Sequence, residues 1–179
     1  MSGNEDTGIA LAKSLAFGDG SHPTTRLSLQ AVRALAPRKR IEAGEPWRLL
    51  DFGSGTGILA IAAAKLGASA VGVEIDDVAL SIAPENARLN GVEDKVAFVR
   101  SLADAPGPFD VVVANILAGV LVQYAADLVA KLASGATLIL CGLVSTDVPL
   151  LIATYAPLLG DRRPDIYERN EWRALVWPG

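Results

Sequence analysis

One cysteine, one histidine and no surplus of positive charge mark this 179-residue chain. A lone Cys141 excludes a disulfide framework and leaves no group of thiolates for a metal. It sits in the apolar run Thr137 to Leu143 and reads as a buried strand residue. No uninterrupted apolar stretch is long enough to span a bilayer. The opening MSGNEDTG is polar and slightly acidic, unlike a signal or transit peptide, so a cytoplasmic protein with no membrane partner is expected. Sixteen Lys and Arg against twenty Asp and Glu give a net charge of −4, which argues against direct nucleic-acid binding through a phosphate-neutralising surface. The only basic cluster, Arg38-Lys39-Arg40 beside Pro37, reads as a solvated loop.

What is present is apolar: 51% of residues, in short runs broken by glycine, proline and charge, as in a globular domain. The length suits one domain, expected over residues 17–179 after a loose lead-in at 1–16. The segment Phe17 to Thr25 is too rich in glycine and turn formers for a helix or strand and reads as a shaped loop. From Thr24, Leu27, Leu29, Ala31, Val32 and Leu35 suit an amphipathic helix ending before Pro37. A strand over Arg48 to Gly53, a helix over Ile58 to Leu66 stopped by Gly67, and a strand over Ala70 to Ile75 form a βαβ unit. Asp76 to Asn90 looks helical but contains Pro84, so its main body is expected to begin there, with Gly91 as the stop. Strands follow at Val96 to Arg100, Phe109 to Ala114 and Ala136 to Leu143, with helices at Leu117 to Leu132 and Thr146 to Leu159. Asp165 to Arg169 and Trp172 to Trp177 read as a hairpin around Asn170-Glu171. Continuous apolar strands alternating with helices imply a doubly wound α/β fold: seven strands, mostly parallel, with an antiparallel C-terminal edge hairpin.

Doubly wound sheets bind ligands beyond the carboxyl ends of their strands, where the strand order reverses. Gly53-Ser54-Gly55-Thr56-Gly57 falls there. Dinucleotide enzymes share the layout, but two features point elsewhere. The turn is Gly-x-Gly-x-Gly, with Ile58 where the third dinucleotide glycine would fall. Asp51, just before the turn, would repel a pyrophosphate and favour the ammonium of a methionine moiety. S-adenosylmethionine carries ammonium and sulfonium groups and no phosphate. Glu74, with Ile75 beside it at the end of the second strand, could accept from both ribose hydroxyls through its two oxygens. Asn115, at the end of the fourth strand, places a side-chain amide beside the same turn. The readings in play are thus an S-adenosylmethionine-dependent methyltransferase, a nucleotide-dependent oxidoreductase on the same fold, and a non-catalytic cofactor-binding module.

Three segments together, Phe17-Gly18-Asp19-Gly20-Ser21-His22-Pro23-Thr24-Thr25, Asp51 to Ala63 and Asn115-Ile116-Leu117-Ala118, resemble the methyltransferases that modify protein eleven of the large ribosomal subunit. The similarity runs from about Phe17 to the end, including Glu171-Trp172. It implies a seven-stranded methyltransferase fold with cofactor contacts at Thr25, Gly53, Glu74 and Asn115, where aspartate is commoner than Glu74. It implies that Phe17 and His22 belong to a loop closing over the cofactor, and that Asn115-Ile116 faces the accepting amine. The family carries a separate N-terminal domain that recruits the ribosomal protein, and the residues before Phe17 are not expected to form one. The expected acceptor is a lysine or N-terminal amine of a protein, possibly ribosomal, with a small molecule as the alternative. The expected chemistry is in-line attack of a neutral amine on the sulfonium methyl, without a metal.

Overall fold

A computed structural model describes residues 8–12, 20–35 and 47–179. The first helix, α1 (Pro23–Leu35), precedes β1 (Arg48–Phe52), α2 (Ile58–Lys65), β2 (Ser69–Val73), α3 (Asp77–Leu89), β3 (Val96–Val99) and β4 (Phe109–Asn115). Then come α4 (Ala118–Gln123), α5 (Ala125–Ala130), β5 (Leu132–Val144), α6 (Val148–Tyr155), β6 (Asp165–Arg169) and β7 (Trp172–Trp177). The seven strands form one sheet in the order β3-β2-β1-β4-β5-β7-β6. The first five are parallel, and β7 pairs antiparallel with both β5 and β6. This is the doubly wound sheet with an antiparallel edge that the pattern of apolar runs implied.

Alternation along the central strands shows why both faces had to be covered. Leu49, Val111, Val113, Ile139 and Cys141 join one core with α1 and α2, while Leu50, Val112, Ala114, Leu138 and Leu140 join a second core with α4, α5 and α6. Every one of these side chains is at most 5% exposed. Successive strand residues point to opposite faces, so a strand apolar at every position needs a layer on each side. Helix α2 is apolar all round, with Ile58 to Ala64 buried, because it is wedged between the sheet, α1 and α3. Cys141 lies in β5 as expected, and burial pushes its thiol up to about 12, leaving it without thiolate character.

Several expectations change. Helix α3 runs unbroken from Asp77 through Pro84, starting on an Asp76 side chain that accepts from Ala79 N at 2.8 Å. Pro84 is tolerated because it lies on the exposed side of the helix, while Ala79, Ala83, Asn86 and Ala87 carry the buried stripe across it. The helix expected over 117–132 is two, α4 and α5, meeting at Tyr124 (φ −97, ψ 12). Strand β5 begins at Leu132, four residues before the expected start, and reaches its main register through an irregularity between Phe109 and Val111 of β4. Residues 8–12, within the stretch read as a lead-in, pack against the domain, with Ile9 and Leu11 buried. The Arg38-Lys39-Arg40 cluster and Phe17 lie outside the described residues. No helix among the described residues is long and apolar enough to cross a membrane.

Candidate functional site

The order reverses between β1 and β4, and the turn after β1 forms the floor of a cleft at their carboxyl ends. Gly53, Gly55 and Gly57 have φ values of 77°, 52° and 80°, in the left-handed region that only glycine enters freely. The turn is laced to β2, since the amides of Gly53 and Ser54 both donate to the Val73 carbonyl, at 2.8 and 3.0 Å. A Cβ at Gly53 would run into the Cγ2 methyl of Ile116, so close approach of the two chains also demands glycine there.

Glu74 follows β2 and faces the cleft. Its Oε2 accepts from Gly55 N at 2.8 Å, and its Oε1 accepts from Ile75 N at 2.7 Å and Asp76 N at 3.0 Å. Three of the roughly four acceptor positions of a carboxylate are therefore taken. One remains, on Oε2, open to a ligand hydroxyl.

Asp51 lies behind the cleft. It is fully buried; Oδ2 accepts from Ala60 N at 3.1 Å, and Oδ1 has no hydrogen-bond partner. Burial raises its pKa from 3.8 to about 7, against the lowering effect of the Ala60 amide, and the charge of Glu74 raises it further.

The cleft has a volume of about 540 Å³, within the range of small-ligand sites. Of the residues expected at the site, Gly53, Gly55, Glu74, Ile75, Asn115 and Ile116 line it. Thr25, Asp51, Ser54 and Gly57 do not, but stand behind its wall, and the hydroxyls of Thr25 and Ser54 are buried without hydrogen-bond partners. Thr24 takes the lining position expected of Thr25. His22 also lines the cleft: its Nδ1 is 2.8 Å from Thr24 Oγ1 and accepts from Thr24 N at 3.3 Å, and its ring meets Trp172 edge-on at 5.0 Å. Residues missed by the sequence reading include Phe52, Tyr124, Gly142 and Trp172. The rings of Phe52 and Tyr124 meet at a 53° tilt, centroids 5.0 Å apart, across the β1 end and the α4–α5 junction. Gly142, inside a strand, was a signal of close backbone approach: a Cβ there would lie 2.7 Å from Ile116 O and 3.2 Å from Asn115 Oδ1.

Among the described residues the lining contains one carboxylate, an amide, an imidazole, the Thr24 hydroxyl and otherwise glycine, apolar or aromatic residues, and neither lysine nor arginine. With the partnerless Asp51 Oδ1 close by in sequence and a glycine-lined floor, these residues fit a cofactor that is cationic and free of phosphate. Among the described residues no group of three His, Cys, Asp or Glu is placed to hold a metal.

Seven strands in this order, with a glycine turn after β1 and an acid after β2 on one cleft, make the Rossmann-like fold of class I methyltransferases. A solved ribosomal protein L11 methylase from Lactobacillus delbrueckii subsp. bulgaricus superposes with a TM-score of 0.79 at 33% identity, covering 94% of this chain and 83% of that one. An RNA methyltransferase from Salinibacter ruber, solved with S-adenosyl-L-homocysteine, gives 0.65 at 25% identity over 88% and 93%. The sequence model of the family "Ribosomal protein L11 methyltransferase (PrmA)" matches residues 2–178, and the chain belongs to that family. Ribosomal protein L11 methyltransferases of Geobacter metallireducens and Geobacter sulfurreducens are 50% and 44% identical over 96% of this chain. The chain spans about half of their length, 54% in each case.

Proposed function

We propose that this chain is an S-adenosylmethionine-dependent methyltransferase acting on an amine of a protein, a lysine or an N-terminal amine, with a ribosomal protein as the favoured acceptor. The observation that carries the reading is the polar set of the cleft among the described residues: Glu74, Asn115 and His22, with no lysine or arginine beside them, at the switch point of the sheet. Membership of a family whose relatives are named for methylating ribosomal protein L11 supports the acceptor class and, with it, a cytoplasmic site of action.

Bound S-adenosylmethionine supplies an activated methyl group on a sulfonium. The protein's part is to bind, orient and exclude water. Glu74 takes a ribose hydroxyl on its remaining Oε2 site, while Ile75 and Val73 offer apolar surface beside it. Asp51, buried behind the floor of the cleft, favours the ammonium end by its charge and not by contact. Asn115, at the tip of β4, presents an acceptor that favours a neutral, oriented amine, and Ile116 closes the floor against Gly53. Phe52, Tyr124 and Trp172 wall the remaining side, where water is displaced as the acceptor enters.

The test is calorimetric titration with S-adenosylhomocysteine, the expected product, beside NAD. Saturable micromolar binding of the first alone is expected, followed by transfer of labelled methyl to isolated large-subunit protein. Binding of NAD instead would overturn the cofactor class. S-adenosylhomocysteine binding without transfer to any protein would overturn the acceptor.

A further inference from the structure

Residues 8–12 reach across two helices at once. Ile9 and Leu11 turn inward, 3% and 5% exposed, into the core built on α2. The backbone between and beyond them is held by side chains. Asn90, the C-cap of α3, accepts from Ala10 N at 3.0 Å and donates to Ala10 O at 2.7 Å. Asn86, one turn earlier, accepts from Ala12 N at 2.8 Å. Lys65, in the last turn of α2, donates to Gly8 O at 2.9 Å. This strap therefore ties together the helix that follows the glycine turn and the helix that follows Glu74.

Asn86 does more than hold the strap. Its side chain is 0% exposed, and its Nδ2 donates to the carbonyl of Thr56 at 2.9 Å, inside the glycine turn. A buried amide is costly unless both of its ends are partnered. Its neighbours along the buried stripe of α3 are Ala79, Ala83 and Ala87, and an apolar side chain would continue that stripe without the demand. The amide at this position joins two backbone segments that are otherwise 44 residues apart in sequence, Ala12 and Thr56.

We propose that Asn86 is a positioning residue for the cofactor turn, through which the docking of residues 8–12 sets the geometry of Gly53 to Gly57. The proposal rests on reading that turn as the S-adenosylmethionine site. Thr56 stands between Gly55, whose amide Glu74 holds, and Gly57, which starts α2 at a φ of 80°. Tilting the Thr56 peptide would move both neighbours, so a donor fixed on its carbonyl restrains the whole floor of the cleft. Coupling of this kind is reciprocal: if the docked strap favours cofactor binding, bound cofactor must favour the docked strap by the same factor.

Asn90→Ala frees the strap at Ala10 and also removes the Asn90 Nδ2 bond to the Asn86 carbonyl at 2.7 Å, but it keeps the Asn86 side chain that donates to Thr56 and changes no residue of the cleft. Its affinity for S-adenosylhomocysteine is expected to fall about fivefold or more, with KM for S-adenosylmethionine rising more than kcat falls. In the unaltered protein, saturating S-adenosylhomocysteine should slow amide hydrogen exchange at Ala10 and Ala12 by a similar factor, while β6 amides at the far edge exchange as before. Asn86→Asp, which keeps an acceptor for Ala12 N but sets an oxygen against Thr56 O, should lose more affinity than Asn90→Ala. Wild-type affinity in Asn90→Ala, or exchange at Ala10 and Ala12 unmoved by ligand, overturns the proposal whatever the melting temperatures, because a strap that only packs would alter stability alone. Absence of S-adenosylhomocysteine binding by the unaltered protein would instead overturn the cofactor reading and take this proposal with it.

Discussion

Glu74 and Gly55 are joined by a hydrogen bond of 2.8 Å from the Gly55 amide to the Glu74 carboxylate, so the acid that follows β2 holds the turn that follows β1. The carboxylate thus has two tasks, shaping the floor and accepting from the ligand. Glu74→Gln loses the charge and must aim its NH2 group at one of three amide donors. We expect S-adenosylhomocysteine affinity to fall by about tenfold or more, on the scale of roughly 1.5–3 kcal/mol for hydrogen bonds to a charged group. Titration calorimetry checks this, and an unchanged Kd would remove Glu74 from the binding site.

Gly53→Ala meets two obstacles, a φ of 77° and the Ile116 methyl. A loss of about 1–3 kcal/mol in unfolding free energy is expected, with cofactor binding weakened as well. Adding Ile116→Ala removes the clash but not the backbone strain, so the double variant should recover part of the loss relative to additivity. A double-mutant cycle from urea melts reads this directly.

Asp51 makes stability fall with rising pH. Its folded pKa of about 7 exceeds the ordinary 3.8, so between those values the folded state binds the extra proton. Stability from this group is fully present below about pH 4 and is lost as pH rises to about 7, with a slope of up to about 1.4 kcal/mol per pH unit. Asp51→Asn keeps an acceptor for Ala60 N and has no charge to bury. It should melt higher than the parent at pH 8, with the difference shrinking towards pH 4, yet bind S-adenosylhomocysteine more weakly. Equal affinity in the two proteins at pH 8 would show that Asp51 does not serve the ammonium group.

Asn115→Ala should separate chemistry from binding. Turnover is expected to fall by roughly a hundredfold, the scale of losing a positioned reactant, while S-adenosylhomocysteine affinity changes little. Equal losses in kcat and affinity would reassign Asn115 to cofactor binding alone.

Features set by local chemistry were legible in the sequence. The glycine turn, the acid after β2 and the β6–β7 hairpin follow from residue types that leave the backbone few choices. Features decided by tertiary packing were not. Pro84 signals a helix start, but the buried stripe from Ala79 to Ala87 keeps α3 whole. Glu74 was visible as an acid after β2, but not its three backbone partners, which depend on how the turn folds back. Phe52, Tyr124 and Trp172 are ordinary core formers by composition, and only the meeting of β1, α4 and β7 at one end of the sheet brings them to the cleft. Asn86 and Asn90 likewise read as polar helix residues until the segment at 8–12 is laid against them.

The position of β7 bears on how the molecule is made. Of the seven strands it emerges last from the ribosome, yet it sits inside the sheet, between β5 and β6, with Trp177 buried and Trp172 on the wall of the cleft. Until it inserts, β5 is an open edge and β6 has no partner, so a nascent chain carrying all of the glycine turn still lacks one side of its site. The wall of the cleft is therefore complete only once β7 is in place, and a chain interrupted before Trp172 would expose the apolar edge of β5 for pairing with other chains.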